Sequence, residues 1–221
     1  MDRSVDSAKP EIVEEWTPVI YIPPSRGQAR NQAAGGTRTL SNTTRAVRVA
    51  LLAPKDHVAL TTRAQPTLYW FVSADTAQRI DLTVVDDESI DPLLEMTLPG
   101  PITEGIHAFE LSEVGLSLEP ERTYRWHGAI VHDATRRSTD TLAEGFIERT
   151  RASEALEKSL LEARSRYAPY ALSGIWYDAM DELLSAIALD PGNQRLLSQR
   201  VALLEQAELA EVASYARQDE R

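Results

Sequence analysis

Residues 123–149, TYRWHGAIVHDATRRSTDTLAEGFIER, decide how the rest of the chain is organised. A pleated strand sends successive side chains to opposite faces. Tyr124, Trp126, Gly128 and Ile130 therefore share one face, and Arg125, His127, Ala129 and Val131 the other. The first set is bulky and apolar apart from its glycine, which predicts a strand over 123–131 with Tyr124, Trp126 and Ile130 turned to a core. Polar residues from His132 to Thr141 make a connection, and Phe146 and Ile147 mark a return strand over 145–149. The stretch reads as a long hairpin. Residues 118–123 form a turn that delivers a tyrosine to the start of its strand, which is how an immunoglobulin-like sandwich enters its tyrosine-corner strand.

Toward the N-terminus, strand signals recur at short intervals separated by turn residues, over 46–53, 57–62, 67–73, 79–86, 94–98 and 105–111. Ile80, Leu82 and Val84 alternate with Asp81 and Thr83, a half-buried pattern, while Pro66-Thr67-Leu68-Tyr69-Trp70-Phe71 is dense enough for a central strand with a core tryptophan. Trp70 and Trp126 are both expected in the core. Seven or eight such strands within about a hundred residues fit an antiparallel sandwich. The absence of helical segments between them argues against a parallel α/β sheet.

After residue 150 the apolar period becomes helical. Ala152, Leu156, Leu160, Ala163 and Tyr167 share one face, with Glu154–Lys158 and Glu162–Arg166 as outer pairs, until Pro169 interrupts. A second helix follows Ser173, with Trp176, Ala179, Met180, Leu183 and Ile187 inward, and Asp190-Pro191-Gly192 stops it. A third covers Gln194 to about Leu209, or continues to Arg217. Ala179, Leu183, Ala186 and Pro191 have the spacing of the second helix of a tetratricopeptide unit, but no second good copy follows. The expected architecture is thus mainly β plus α. A flexible arm with a short apolar segment occupies 1–44, a β-sandwich 45–151, and a C-terminal region with a helical hairpin of tetratricopeptide type 152–221. In the arm, Trp16-Thr17-Pro18-Val19-Ile20-Tyr21-Ile22, closed by Pro23-Pro24, suits an edge strand or an extended segment packed on a groove.

The 221 residues carry a net charge of -11, which argues against binding the phosphate backbone of nucleic acid. It also disfavours attraction to anionic lipid. The charge is uneven: residues 1–48 carry +2 and the remainder -13, and between Ile22 and Arg48 there are five arginines and no acid. This is a basic arm on an acidic body, read either as a solvated tether or as a contact for an acidic partner. No cysteine is present, which excludes disulfides, zinc-thiolate sites and thiol nucleophiles. No apolar run reaches the roughly 18 residues of a membrane span, and the N-terminal residues have no signal-peptide core, so an exported chain would have had its leader removed.

Constellations with chemical potential are incomplete. His127 and His132, five apart, point to opposite faces of a continuous strand, and with Asp133 they fall short of a metal ligand set. Ser138, His132 and Asp140 can be written as a triad, but no nucleophile elbow surrounds Ser138. Gly35-Gly36-Thr37 lacks the lysine and glycine spacing of a phosphate loop. Asp86, Asp87, Glu88 and Asp91 make an acidic loop without the spacing or the turn glycine of a twelve-residue calcium loop. Asp178 and Asp181 lie one turn apart near a helix start, either as a carboxylate pair or as charges complementing the helix dipole. Trp176 and Tyr177 are about 100° apart on that helix, so one is expected to seal the joint with the sandwich and the other to be exposed.

Several of these motifs occur together in a known order. Pro23-Pro24 to Gly35-Gly36-Thr37-Arg38, Pro66-Thr67-Leu68-Tyr69-Trp70-Phe71, Tyr124-x-Trp126, Glu144-Gly145-Phe146-Ile147-Glu148-Arg149 and Gly174-Ile175-Trp176-Tyr177-Asp178-Ala179 resemble a bacterial family catalogued as domain of unknown function number 928. The resemblance runs from about Tyr21 to Leu204. It implies an exported, periplasmic envelope protein with no assigned activity and no catalytic residues to carry over.

The expectation is therefore a noncatalytic bacterial envelope protein, without cofactor or metal, acting as an adaptor or interaction module for another envelope protein. Arg26, Arg30, Arg38, Trp176 and Tyr177 are its expected partner contacts. The alternative is a carbohydrate or small-ligand binding module, with calcium at the Asp86–Asp91 loop.

Overall fold

Alternation along β4 (Ile80–Asp86) buries Ile80, Leu82 and Val84 and leaves Asp81, Thr83 and Val85 half-buried, as the period of two requires. The computed structural model describes residues 17–24, 47–86, 89 and 91–218. Among these, the other strands are β1 (Val49–Leu51), β2 (Ala59–Thr61), β3 (Thr67–Val72), β5 (Leu94–Leu98), β6 (Gly105–Glu110), β7 (Thr123–Ile130) and β8 (Thr141–Arg149). Five helices follow: α1 (Glu154–Glu162), α2 (Tyr167–Leu172), α3 (Trp176–Leu189), α4 (Gln194–Gln206) and α5 (Ala210–Ala216).

The strands form two sheets, one ordered β1-β3-β6 and the other β2-β8-β7-β4-β5. The hairpin β7–β8 pairs antiparallel over its whole length, from Thr123 opposite Glu148 to Ile130 opposite Thr141. Its return strand begins at Thr141, four residues before the expected start. One pairing departs from the expected antiparallel arrangement: β2 runs parallel to β8, Ala59 opposite Ile147 and Thr61 opposite Arg149. The departure is topological, because β1 and β2 are close in sequence yet join different sheets.

The sheets meet where β7 and β8 lack side chains. A Cβ at Gly128 would lie 3.2 Å from Leu51 and 3.6 Å from Val49, and one at Gly145 would lie 3.1 Å from both Ala53 and the Trp126 indole nitrogen. The glycines let β1 press onto the second sheet beside Trp126, which is buried with Tyr124 and Ile130. The far face of β3 is also covered, since Tyr69 bonds Asp181 of α3 and Phe71 packs on Tyr215 of α5. Trp70 stacks on His107 across the β3–β6 pair.

The turn before β7 is secured by the Tyr124 hydroxyl, which accepts the backbone N–H of Glu119 at 2.9 Å, while Arg149 donates to the Leu118 carbonyl. Tyr124→Phe deletes that acceptor from a largely buried site and is expected to cost about 1 kcal/mol, read as a lower urea midpoint at unchanged slope.

In the helical part, α1 ends at Glu162 rather than reaching Tyr167, so Glu162 and Arg166 do not form a pair along one helix, and Arg166 approaches Glu182 instead. Pro169 does not terminate a helix. It lies in the first turn of α2, where no intrahelical N–H is required. α3 stops at Leu189 before Asp190, as predicted, and α4 ends at Gln206, three residues earlier than expected, with the chain turning away from it through Glu208 at φ 58°. One continuous core runs from both sheets into the helices, reaching α1 through Leu156.

Candidate functional site

Residues 17–24 are the most distinctive feature of the surface. Pro18, Pro23 and Pro24 keep the segment extended and out of regular secondary structure. Alternation then sends Val19 and Tyr21 into the core and Ile20 and Ile22 outward. Of the two sequence readings, edge strand or segment in a groove, the structure shows the second.

The groove is built on α4. Gln199 and Gln206 are seven residues apart, two turns along one helix face, and each reads the main chain of the segment. The Gln199 side chain accepts from Val19 N–H and donates to the Thr17 carbonyl. Gln206 accepts from Tyr21 N–H and donates to the Val19 carbonyl, both at 2.9 Å. Two amides thus stand in for the neighbouring strand that an extended peptide would otherwise pair with. On the other side, Ile22 N–H donates to the Ala171 carbonyl at the end of α2. Gly174 is required here twice over: its φ is 74°, and a Cβ would come 2.8 Å from the Ile22 carbonyl oxygen.

Tyr21 carries the segment through to the strands. Its ring meets Trp176 edge-on at 5.0 Å between centroids, and its hydroxyl lies 2.6 Å from Nε2 of His57, between β1 and β2. His57 Nδ1 lies 2.6 Å from Asp56. A carboxylate only accepts, so in the neutral imidazole Nδ1 carries the proton and Nε2 accepts from the phenol. Burial, then the Asp56 charge, pushes the Tyr21 phenol above its ordinary range, which keeps it a donor.

Because the clamp contacts only main chain, its contribution is separable from the core. Replacing Gln199 and Gln206 together by Ala removes the four hydrogen bonds to the segment, of about 1 kcal/mol each, along with the exposed Gln206 bond to the Ala202 carbonyl within α4. Amide exchange at Val19 and Tyr21 is expected to rise steeply in that variant while protection in β7 and β8 is retained. Unchanged exchange at Val19 would mean that apolar burial alone holds the segment.

Beside this groove, the first two turns of α3 join helices to strands. Trp176 donates to the Leu52 carbonyl at 2.8 Å, and the Tyr177 hydroxyl accepts from Trp126 at 2.8 Å and donates to the Phe146 carbonyl. Asp178, fully buried, accepts from the Thr61 hydroxyl and from the backbone and hydroxyl of Thr62. Asp181 takes Tyr69 and Arg63, and Glu182 takes the other arm of Arg63. These acids hold the end of β2 and are not there chiefly for the helix dipole.

The sequence-predicted contacts distribute unevenly over this geometry. Arg26, Arg30 and Arg38, and the Gly35-Gly36-Thr37 loop, lie outside the described residues. Trp176 and Tyr177 are both buried, at 0% and 2% exposure, so the expectation that one of them is exposed does not hold. α3 is packed on two sides, with Tyr21 and β1 meeting Trp176 while β7 and β8 meet Tyr177, which leaves neither ring on the surface.

The other constellations do not assemble. His127 pairs with Glu144, whereas the His132 ring lies 3.0 Å from Thr141, and Asp140 takes the His132 backbone and Arg137. Ser138 is exposed. Asp86 is buried against Arg122 at 2.6 Å, so it is not a free calcium ligand, and Asp87 and Glu88 lie outside the described residues. Among the described residues no group of three or more His, Asp or Glu is placed to hold a metal. No helix among them is long and apolar enough to cross a membrane.

Sequence reasoning missed Gln199, Gln206 and His57. The available signal was a pair of glutamines seven apart on a helix whose neighbours Leu197, Val201, Leu203 and Leu204 are all core.

The family model described as Domain of Unknown Function (DUF928) matches residues 33–216. No curated protein matches the chain.

Proposed function

The chain belongs to the family of the Domain of Unknown Function DUF928, and from that premise we propose that it is a noncatalytic, exported envelope protein that works as a protein–protein interaction module. The observation that carries this reading is the groove on α4, where Gln199 and Gln206 hold an extended segment through its main chain. Recognition of a main chain by side-chain amides, with sockets for alternate residues, is how an extended peptide is bound without catalysis.

The fold supports the same reading. An immunoglobulin-like sandwich accounts for the sheet orders β1-β3-β6 and β2-β8-β7-β4-β5, for the Tyr124 hydroxyl bound to Glu119 five residues upstream, and for Trp126 in the core. A hairpin of tetratricopeptide type accounts for α3 and α4, with Ala179 and Leu183 buried and Pro191 in the connecting turn. Periplasmic placement rests on the family resemblance alone. The arginines at 26, 30 and 38 supply a basic approach to an acidic partner of the envelope.

The test is crosslinking in intact cells, followed by affinity capture of the tagged chain and mass spectrometry, on wild type and on the charge-reversed Arg26→Glu/Arg30→Glu/Arg38→Glu variant. One stoichiometric envelope partner is expected, with recovery at least tenfold lower from the variant. Equal recovery from both would remove the arginines from the interface. Thermal stabilisation by calcium or glycans in place of any protein partner would replace the reading with a ligand-binding one.

A further inference from the structure

The segment 17–24 is tied to the body by contacts that do not depend on which chain it belongs to. Four of its hydrogen bonds come from Gln199 and Gln206 and a fifth from Ala171, all to main chain, and Val19 and Tyr21 fill the sockets beneath. Twenty-two residues, 25–46, separate Pro24 from Val47. At roughly 3.3–3.6 Å per residue they reach up to about 75 Å, against a radius of gyration near 17 Å for a folded chain of this length.

The outward face of the segment is the second observation. Ile20 and Ile22 are 55% and 51% exposed, and Ile20 borders a surface groove with Pro18, Ala202 and Glu205. A solvent-facing tether gains nothing from an apolar outer face, so the face points to a covering partner.

We propose that residues 17–24 dock reciprocally in the α4 groove of a second copy, so that the Gln199–Gln206 clamp joins two chains by arm exchange. The proposal rests on the interaction-module reading and names its partner as another copy of this chain. Exchange keeps every contact of the clamp, because the trans complex repeats the cis one, and it brings a second body alongside the segment, against which the outward Ile20 and Ile22 can pack. Reciprocal exchange of an identical element is a low-cost route to a closed two-fold dimer. The cis arrangement is favoured only by the effective concentration of a tethered arm, so the dimer is the species of concentrated protein.

The absence of cysteine in the chain makes the test direct. Ile20→Cys and Ala202→Cys are introduced singly into the full chain, at positions bordering the same groove. The two variants are mixed at high concentration, oxidised mildly and resolved on non-reducing gels, with the linked peptides identified by mass spectrometry. A disulfide joining the two variants is expected in at least tenfold excess over dimers of either variant alone. Adding Gln199→Ala and Gln206→Ala to the Ala202→Cys copy is expected to return it to the control level.

A doubly substituted chain that closes only on itself, with no cross-chain product in the mixture, overturns the exchange. So does a cross-chain product indifferent to the glutamines. Light scattering on wild type checks the same point without cysteines: a two-chain species that grows with concentration is expected, and a single-chain mass throughout counts against it. Capture of an envelope partner by a chain that shows no exchange would overturn this proposal and leave the interaction reading standing. Exchange without any captured envelope partner would leave this proposal standing and confine the interaction reading to self-association.

Discussion

Trp176→Ala is expected to lower the free energy of unfolding by about 3–5 kcal/mol, the largest loss of any single substitution considered. The side chain is completely buried, its indole N–H donates to the Leu52 carbonyl, and its ring supports Tyr21. Truncation therefore opens a cavity where helices, β1 and the arm converge, and it strands a carbonyl. At about 2–4 °C per kcal/mol for a chain of this size, the melting temperature falls by roughly 10 °C. Calorimetry measures the shift, and amide exchange adds a signature: protection of Tyr21 and Ile22 falls before that of β7. A loss under about 1 kcal/mol would mean that the joint collapses around the missing ring, against the packing described above.

Asp178→Ala is expected to cost about 2–4 kcal/mol, and Asp178→Asn much less at neutral pH. Alanine leaves the Thr62 amide and the Thr61 and Thr62 hydroxyls without their common acceptor. Asparagine keeps one acceptor oxygen and removes a buried charge. Burial pushes the Asp178 carboxyl above the usual carboxylate range, and the bonds from Thr61 and Thr62 pull the other way without cancelling it. The native state therefore holds this proton more tightly than the unfolded chain. Wild type gains on the asparagine variant as pH falls from the raised value toward the ordinary one near 4, and that gain is lost as pH rises again. Urea titrations of both proteins at pH 4.5 and 7.5 measure the difference. A gap between them that is wider at pH 7.5 would reverse the sign and refute the burial argument.

The contrast between these two residues shows where sequence reasoning reaches. The helix bearing both was placed correctly after Ser173 and before Asp190, because its apolar period and its stop signals are local. The roles of its residues were not. Asp178 reads in sequence as a charge near a helix start, yet its partners lie 116 and 117 residues away at the end of β2. Tyr177 was a candidate for exposure because one helix face was assumed to have one neighbour, and α3 has neighbours on two sides.

All eight strands were legible, β5 to its exact bounds, because a period of two and turn chemistry are carried within a few residues. The Tyr124 turn was legible for the same reason, since the bond to Glu119 spans only five residues. The parallel pairing of β2 with β8 was not, because register between strands distant in sequence is chosen by the packing of whole sheets. The clamp was further out of reach: Gln199 and Val19 are 180 residues apart, and neither residue marks the other. The sequence by itself determined the strands, the long helix α3, their order and the burial of Trp70 and Trp126, while the division of the remaining helical sequence into α1, α2, α4 and α5 was not read from it. Which surfaces those elements leave free, and that an extended arm occupies one of them, was decided only by tertiary packing, where each polar group takes whichever partner the buried chain brings within hydrogen-bonding distance.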